Sequence, residues 1–451
     1  MKTSLPSRAK KQANTRKPSS RTPTESPKAI PSARPTARLD VFVFGSGENC
    51  ELGLGPKHTE APRPRLNRLL DADTVGVVQI AVGGMHCAAL THDGKVLTWG
   101  VNDDGALGRA KSSSDDQQAE EDEDEETPLG SFESTPAPVA LDEDLEIIQV
   151  AATNSACFAL SADGKVYGWG SFAGGDGNFG FLHEKPPKTT ERLPVPIPGL
   201  RDVKQLAGGS NHILALTNDG NVLAWGSGEQ NELGRRIMER RRFESLAPRR
   251  VGLPKNKTVK IFAGSHHSFA IDTAGKVWAF GLNNFGQCGM PTRVDTGFTT
   301  VISPAVVKSL RGWSIKHIGC GLHHSIACTE DGDVLVWGRC DDGQMGMPLD
   351  DISNDDIILD FRNRPRVLNV PTVVPDLRAD FVAAGIDNCL TISQGNMHAW
   401  GFSASYNTGL ATTDTVMAPS LVRSKQLGAK KLNFVDAGGQ FAVATSPQSS
   451  L

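Results

Sequence analysis

Two adjacent histidine pairs, His266-His267 and His323-His324, are the first residues of this 451-residue chain to invite a chemical reading. A metal needs ligands that converge, whereas neighbours along an extended strand point to opposite faces, so neither pair makes a metal site by itself. Other catalytic signatures are missing. Gly45-Ser-Gly47 has no glycine three residues further on, and there is no P-loop, no G-x-S-x-G and no H-E-x-x-H. Covalent catalysis is disfavoured, and neither a metal nor a cofactor is expected. The chain offers polar surface chemistry instead. Glu48, Asp103, Asp104, Asp176, Glu229, Asn283, Asn284, Asp341 and Asp342 fall in short segments that follow an apolar strand ending in glycine. Gathered at one place around histidines, these groups would make a protein-docking face; otherwise they merely form tight turns.

The elements that must position them repeat. Gly45, Gly100, Gly170, Gly226, Gly281, Gly338 and Gly401 each follow an aromatic residue, and successive copies lie 55 to 70 residues apart. A second glycine follows each one (Gly53, Gly108, Gly180, Gly234, Gly289, Gly346, Gly409), and such a period marks a propeller, solenoid or array. Upstream of most copies lies a small-residue strand, then a histidine, then an Asp-Gly or related turn, which predicts a β-hairpin per unit. A two-residue type I′ turn would pair His86 with Val101, His212 with Ser227, His267 with Leu282 and His324 with Arg339, placing the histidines at the same end as the loops after glycine.

The count also predicts how the circle closes. Residues 41–44 form a Gly strand with no inner strand before it, and residues 435–445 form an inner strand with no Gly strand after it. Joined, the two complete one blade and leave no open sheet edge. The expected fold is all-β, a seven-bladed β-propeller over residues 39–446, closed by a mixed N- and C-terminal blade and followed by a short tail, 447–451. Cys87, Cys157, Cys328 and Cys389 fall where a small hydrophobe fits, so buried thiols are expected in a soluble intracellular protein. With no run of about 18 apolar residues, no membrane span is expected.

The net charge of −4 is unevenly spread. Residues 1–38 hold ten Lys or Arg against Glu25 alone, a local charge of +9 that leaves −13 for the rest. Rich in Pro, Ser and Thr as well, this segment is expected to be a disordered basic arm suited to nuclear import and to phosphate-rich partners, Lys10, Lys11, Arg16 and Lys17 among its contacts. Residues 111–138 read as an acidic loop insertion, with nine acids between Asp115 and Glu126. A third biased segment places seven arginines, Arg240, Arg241 and Arg242 among them, in the sixteen residues 235–250. It is either an acid-binding surface or a plain solvated loop.

The runs Asn102-Asp-Asp-Gly-Ala-Leu-Gly-Arg109, Trp169-Gly-Ser-Phe172, Gly226-Ser-Gly-Glu-Gln-Asn-Glu-Leu-Gly-Arg235, Gly321-Leu-His-His324 and Gly438-Gly-Gln440 resemble the regulator of chromosome condensation family, most like its fungal forms. The resemblance covers about residues 40–446. It implies a guanine nucleotide exchange factor for the small GTPase Ran, acting on chromatin to supply Ran-GTP for nucleocytoplasmic transport and mitosis. No covalent step is implied: a propeller face docks on Ran and a short wedge disturbs its phosphate-binding loop. By position the wedge would be Pro194, Val195, Pro196, Ile197 and Pro198. The docking set would comprise Glu48, Asp104, Asp176, Asn211, His323, His324 and Phe441. Asn211 and Phe441 depart from the family, which carries an acid and a histidine there. The arginine loop would grip histones and the tail would touch DNA, so the implied partners are Ran, the nucleosome and import receptors. A chromatin-bound scaffold without exchange activity is the alternative.

Overall fold

Seven antiparallel sheets stand around a central channel, six of them four-stranded and blade 5 five-stranded through the added edge strand Ile357–Leu359; the computed structural model describes residues 33–448 apart from 111–128, 185, 293–298, 351 and 354. Blade 1 shows the pattern, with Val77–Val82 innermost, then His86–Thr91, Val96–Gly100 and the outer Ala137–Pro138. Blades 2 to 6 follow in chain order, their inner strands being Ile147–Ala152, Val203–Gly208, Thr258–Ala263, Ile315–Cys320 and Phe381–Ala384. Blade 7 takes Phe434–Ala437 and Phe441–Pro447 from the end of the chain and Leu39–Ser46 and Glu60–Leu66 from its start. The predicted closure is therefore present, with Val41 opposite Thr445. The expected disordered character of the tail falls largely on residues outside those described.

The paired glycines are the cement between blades. Gly100 has φ +104°, and a Cβ there would lie 2.5 Å from His86 Cα in the neighbouring strand. Gly108 has φ +64°, and a Cβ would lie 2.7 Å from Trp169 Nε1 of the next blade. That tryptophan is fully buried and donates its N–H to Ala106 O at 2.8 Å, while Trp99, Trp337 and Trp400 donate likewise to Glu51, Gln287 and Gln344 carbonyls of the preceding blade. Burying an aromatic body while satisfying its one donor suits tryptophan to this joint. The second strands lie between neighbouring blades and are buried along their whole length in blades 1 to 5, as His86–Thr91 illustrates.

The hairpin register differs by one residue from expectation. His86 pairs with Gly100, His212 with Gly226, His267 with Gly281 and His324 with Gly338. Only Gly94 of the Asp93-Gly94 turn has positive φ, so no type I′ turn forms; Gly94 N donates to Thr91 O, Lys95 N to Thr91 Oγ1 and Thr91 N to Lys95 O, closing a three-residue loop. Blade 6 alone has the two-residue form, where Gln394 (φ +50°) and Gly395 (φ +80°) connect Ser393 to Asn396. The acidic insertion is also shorter than 111–138. Its end is ordered, with a helical turn Ser131–Ser134 and the outer strand Ala137–Pro138 paired with Leu97 and Thr98.

Candidate functional site

Strand order gives the disc two unlike faces. Turns between second and third strands, such as Asp163-Gly164, lie on one face, where Leu39–Ser46 also begins. The long connections from third to fourth strands lie on the other, together with the small-residue loops that join first to second strands. These small loops ring a funnel of about 640 Å³ at the channel mouth, and their last residues are Met85, Ser155, Asn211, His266, His323 and Gln440, with Ile386 and its neighbour Asp387 in blade 6.

That ring sits one residue upstream of the histidines highlighted by the repeat. His86, His212, His267 and His324 are 0–1% exposed. The first three stitch blades together: His86 Nε2 lies 3.1 Å from Cys157 Sγ, His212 Nε2 2.8 Å from Ser268 Oγ and His267 Nε2 2.8 Å from Ser325 Oγ, whereas neither ring nitrogen of His324 has a hydrogen-bond partner among the described residues. Ser325 Oγ donates its own proton to Gln287 O, so His267 donates from Nε2 and its Nδ1 has no partner. Burial without an acceptor disfavours the charged imidazole, and the His212 and His324 pKa values fall to about 4. His324 therefore cannot touch a partner, contrary to expectation. Phe441 fills the equivalent slot in blade 7 at 0% exposure, opposite Gly45, and it too is removed from the docking set. His323 remains at the mouth, half-buried, its ring 4.7 Å from Phe285.

The other docking candidates reach the surface of this face. Glu48 is exposed in the connection after Leu39–Ser46. Asp104, half-buried, lies 3.4 Å from Asn178 Nδ2, and Asn211 Oδ1 accepts the Ala173 N–H at 3.1 Å. Both of the latter contacts go to a hairpin that the repeat did not predict. Phe172–Gly174 pairs with Gly177–Gly180 as a separate two-stranded sheet projecting from blade 2, with Asp176 at its tip. Its base is an aromatic cluster of Phe158, Phe172 and Phe181, with centroids 5.8–6.1 Å apart. Glu229 accepts the Gly175 N–H at 2.9 Å from the neighbouring blade. The Asp176 side chain is 94% exposed.

The expected wedge does not project. Pro194, Val195 and Pro196 belong to the outer strand Glu191–Pro196, with Val195 opposite Gly168. Ile197 is 5% exposed and Pro198 opens the turn into blade 3. Proline at an outer strand costs no ladder bond on its solvent side. The richness in proline that suggested stiffness thus reports an edge strand.

The arginine run forms a 3-10 segment, Glu239–Leu246, against the same hairpin. Arg242 lies over Phe243 (5.0 Å) and Phe179 (5.9 Å), with Nη1 3.6 Å from Asp176 Oδ2. Arg240 and Arg241 are exposed. Arg235 donates to Ala224 O, and burial lowers its pKa to about 10. Lys10, Lys11, Arg16 and Lys17 lie outside the described residues. Sequence reasoning missed Asp387, which closes a cluster at the mouth: Arg339 pairs with Asp341 (2.6 Å), Asp342 (2.7 Å) and Asp387 (3.5 Å), and Gln344 Nε2 donates to Asp387 at 2.9 Å. Burial raises the Asp387 pKa. Its position just before a second strand, matching Asn211 and His323 in other blades, was the available signal.

A family model described as the RCC1-like domain matches residues 40–444. The chain belongs to this family. Protein pim1 of Schizosaccharomyces pombe is 40% identical over 416 residues, covering 91% of this chain and 75% of that protein. The guanine nucleotide exchange factor SRM1 of Saccharomyces cerevisiae is 37% identical, covering 90% and 87% respectively. Among solved structures, Prp20p of Saccharomyces cerevisiae, described with its binding properties to Gsp1p and histones, is 34% identical with a TM-score of 0.84, covering 94% of this chain and 93% of that one. Yeast RCC1 (Prp20) bound to Kap60 is 34% identical with a TM-score of 0.85, covering 100% and 97%.

Proposed function

We propose that this chain is a guanine nucleotide exchange factor for a Ran-type GTPase and works on chromatin in the nucleus, where it supplies Ran-GTP for nucleocytoplasmic transport and mitosis. It is supported by the 37% identity to SRM1, an exchange factor by name, over nine-tenths of the chain. The structural observation that carries the mechanism is the hairpin of residues 172–180, standing beside the polar mouth with an exposed acidic tip.

In this reading Glu48, Asp104, Asn211, His323 and Asp387 dock the GTPase, and the hairpin, rather than residues 194–198, is the wedge. No bond is made or broken. Docking favours a GTPase conformation that holds nucleotide weakly, and by linkage nucleotide weakens docking by the same factor. The hairpin must therefore be stiff, because a floppy wedge would bend in place of its target. The aromatic base, the Glu229 bond and the Arg242 contacts provide that stiffness. Histone and import-receptor partners follow from the binding properties given for Prp20p and the Kap60 complex. The exposed Arg240 and Arg241 are the assigned histone contacts and the basic tail is the assigned receptor and DNA contact. Release of labelled GDP from purified Ran tests the reading. Acceleration that disappears when the hairpin tip is trimmed supports it, and acceleration insensitive to the tip removes the wedge.

A further inference from the structure

The outer edge of blade 7 carries positive charge that no described residue neutralises. Its outermost strand, Glu60–Leu66, reads Glu-Ala-Pro-Arg-Pro-Arg-Leu, and the connection leaving blade 6 runs beside it. Together they form an open groove of about 830 Å³ lined by Arg63, Arg65, Arg423 and Lys425 against a single carboxylate, Glu60. The wall is fixed. Arg63 Nη1 donates to Arg423 O at 3.0 Å, Ser424 Oγ to Pro64 O at 2.6 Å and Leu66 N to Gln426 Oε1 at 2.6 Å. Arg65 Nη2 donates to His58 Nε2 at 2.7 Å. None of the four cations joins an ion pair among the described residues. Some exposed arginines on other blades are matched, Arg249 with Glu244 and Arg378 with Asp333.

Two features select the ligand. Pro62 and Pro64 have no N–H, so this edge is poorly suited to accept another strand, and the cationic side chains are what it presents. The basic N-terminal segment also joins the disc here. Leu39–Ser46 lies beside Glu60–Leu66, and Lys430, from the same connection as Arg423, pairs with Asp40. The sequence up to Arg38 is basic, with ten Lys or Arg among residues 1–38. We propose that this groove binds the phosphates of duplex DNA, as a site separate from the arginine-rich connection of blade 3 across the ring.

The test is binding of the full-length chain to a 30-base-pair duplex as a function of salt, for wild type and for the triple variant Arg63→Ala, Arg423→Ala, Lys425→Ala. All three side chains are exposed, so folding is expected to survive, and circular dichroism checks it. Each lost phosphate contact lowers the slope of log K against log salt by about 0.9. The proposal expects the slope to fall by about 2 to 3 and affinity to drop at least tenfold near 0.1 M salt. Lysine at positions 63 and 423 should restore both, because a point charge suffices. An unchanged slope overturns the proposal. So does a loss confined to an acidic polyglutamate probe, which would make the groove a protein site.

Discussion

The glycine before each inter-blade tryptophan permits a controlled stability experiment. Gly108 and Gly275 have similar backbones, φ +64° and +72°, but unlike surroundings. A Cβ at Gly108 would lie 2.7–3.0 Å from three atoms of the Trp169 indole, whereas one at Gly275 would meet nothing within 4 Å. Alanine at either position adopts the left-handed region at a cost of about 1–2 kcal/mol. At Gly108 the ring must also move, yet it is fully buried and held by its 2.8 Å bond to Ala106 O. Overpacking of that kind costs about 1–3 kcal/mol more. Urea unfolding followed by tryptophan fluorescence should therefore rank wild type above Gly275→Ala, and Gly275→Ala above Gly108→Ala by that further 1–3 kcal/mol. Equal losses for the two variants would refute the claim that the second glycine exists to admit the neighbouring tryptophan.

Further tests concern charge and surface. His86, His212 and His324 titrate at about 4 when folded because burial penalises the cation, against about 6.5 unfolded, so the stability they contribute is full above about pH 6.5 and is lost as pH falls toward 4. Asp436, raised to about 7 by burial in the channel, acts oppositely, favouring the fold as pH falls through that window. With seven lowered histidines against three raised carboxyls among the described residues, Asp342, Asp387 and Asp436, the urea midpoint should fall between pH 7 and pH 5, and His212→Gln should lessen the fall while Asp436→Asn enlarges it. A midpoint that rises on acidification would contradict the buried neutral stitches. Arg240→Ala with Arg241→Ala should weaken nucleosome binding in a pull-down and leave GDP release unchanged, since neither side chain touches the hairpin; loss of exchange instead would show that the arginine run serves the GTPase. Glu229→Ala, which frees the Gly175 N–H, should slow exchange several-fold with a melting temperature near that of wild type; a lowered melting temperature with normal exchange would assign Glu229 to the fold alone.

The blade count and closure were legible because the glycine–aromatic repeat is itself the physical joint: Gly108 and Trp169 must coexist for neighbouring blades to touch. The register was misread for an equally physical reason. In Thr91-His-Asp-Gly-Lys95 the threonine hydroxyl accepts the amide four residues on and favours a three-residue loop, so the Thr-x-Asp-Gly pattern, present again at 217–220 and 329–332, was the usable sign. Side chains alternate in direction along a strand, so of the expected pair His323 stays half-buried while His324 is buried, and Asp387, at the position matching His323, was not named. The hairpin of residues 172–180 escaped notice because its glycines looked like part of the repeat. Gly180 is in fact the irregular copy, with φ +132° where Gly53, Gly108 and Gly234 stand at +60° to +64°.

The central claim is that the hairpin beside the channel mouth drives nucleotide from a Ran-type GTPase. Its most direct test is the rate at which labelled GDP leaves Ran with catalytic amounts of purified chain, comparing Asp176→Ala with Lys165→Ala. Asp176 is at the exposed hairpin tip, and Lys165 lies beside a turn on the opposite face, paired with Asp163. If Asp176 is a contact hot spot, its loss should slow release at least tenfold, the equivalent of about 1.4 kcal/mol or more. Lys165→Ala should release GDP like wild type. Slower release with Lys165→Ala and a wild-type rate with Asp176→Ala would place the working surface on the other face of the disc and contradict the account.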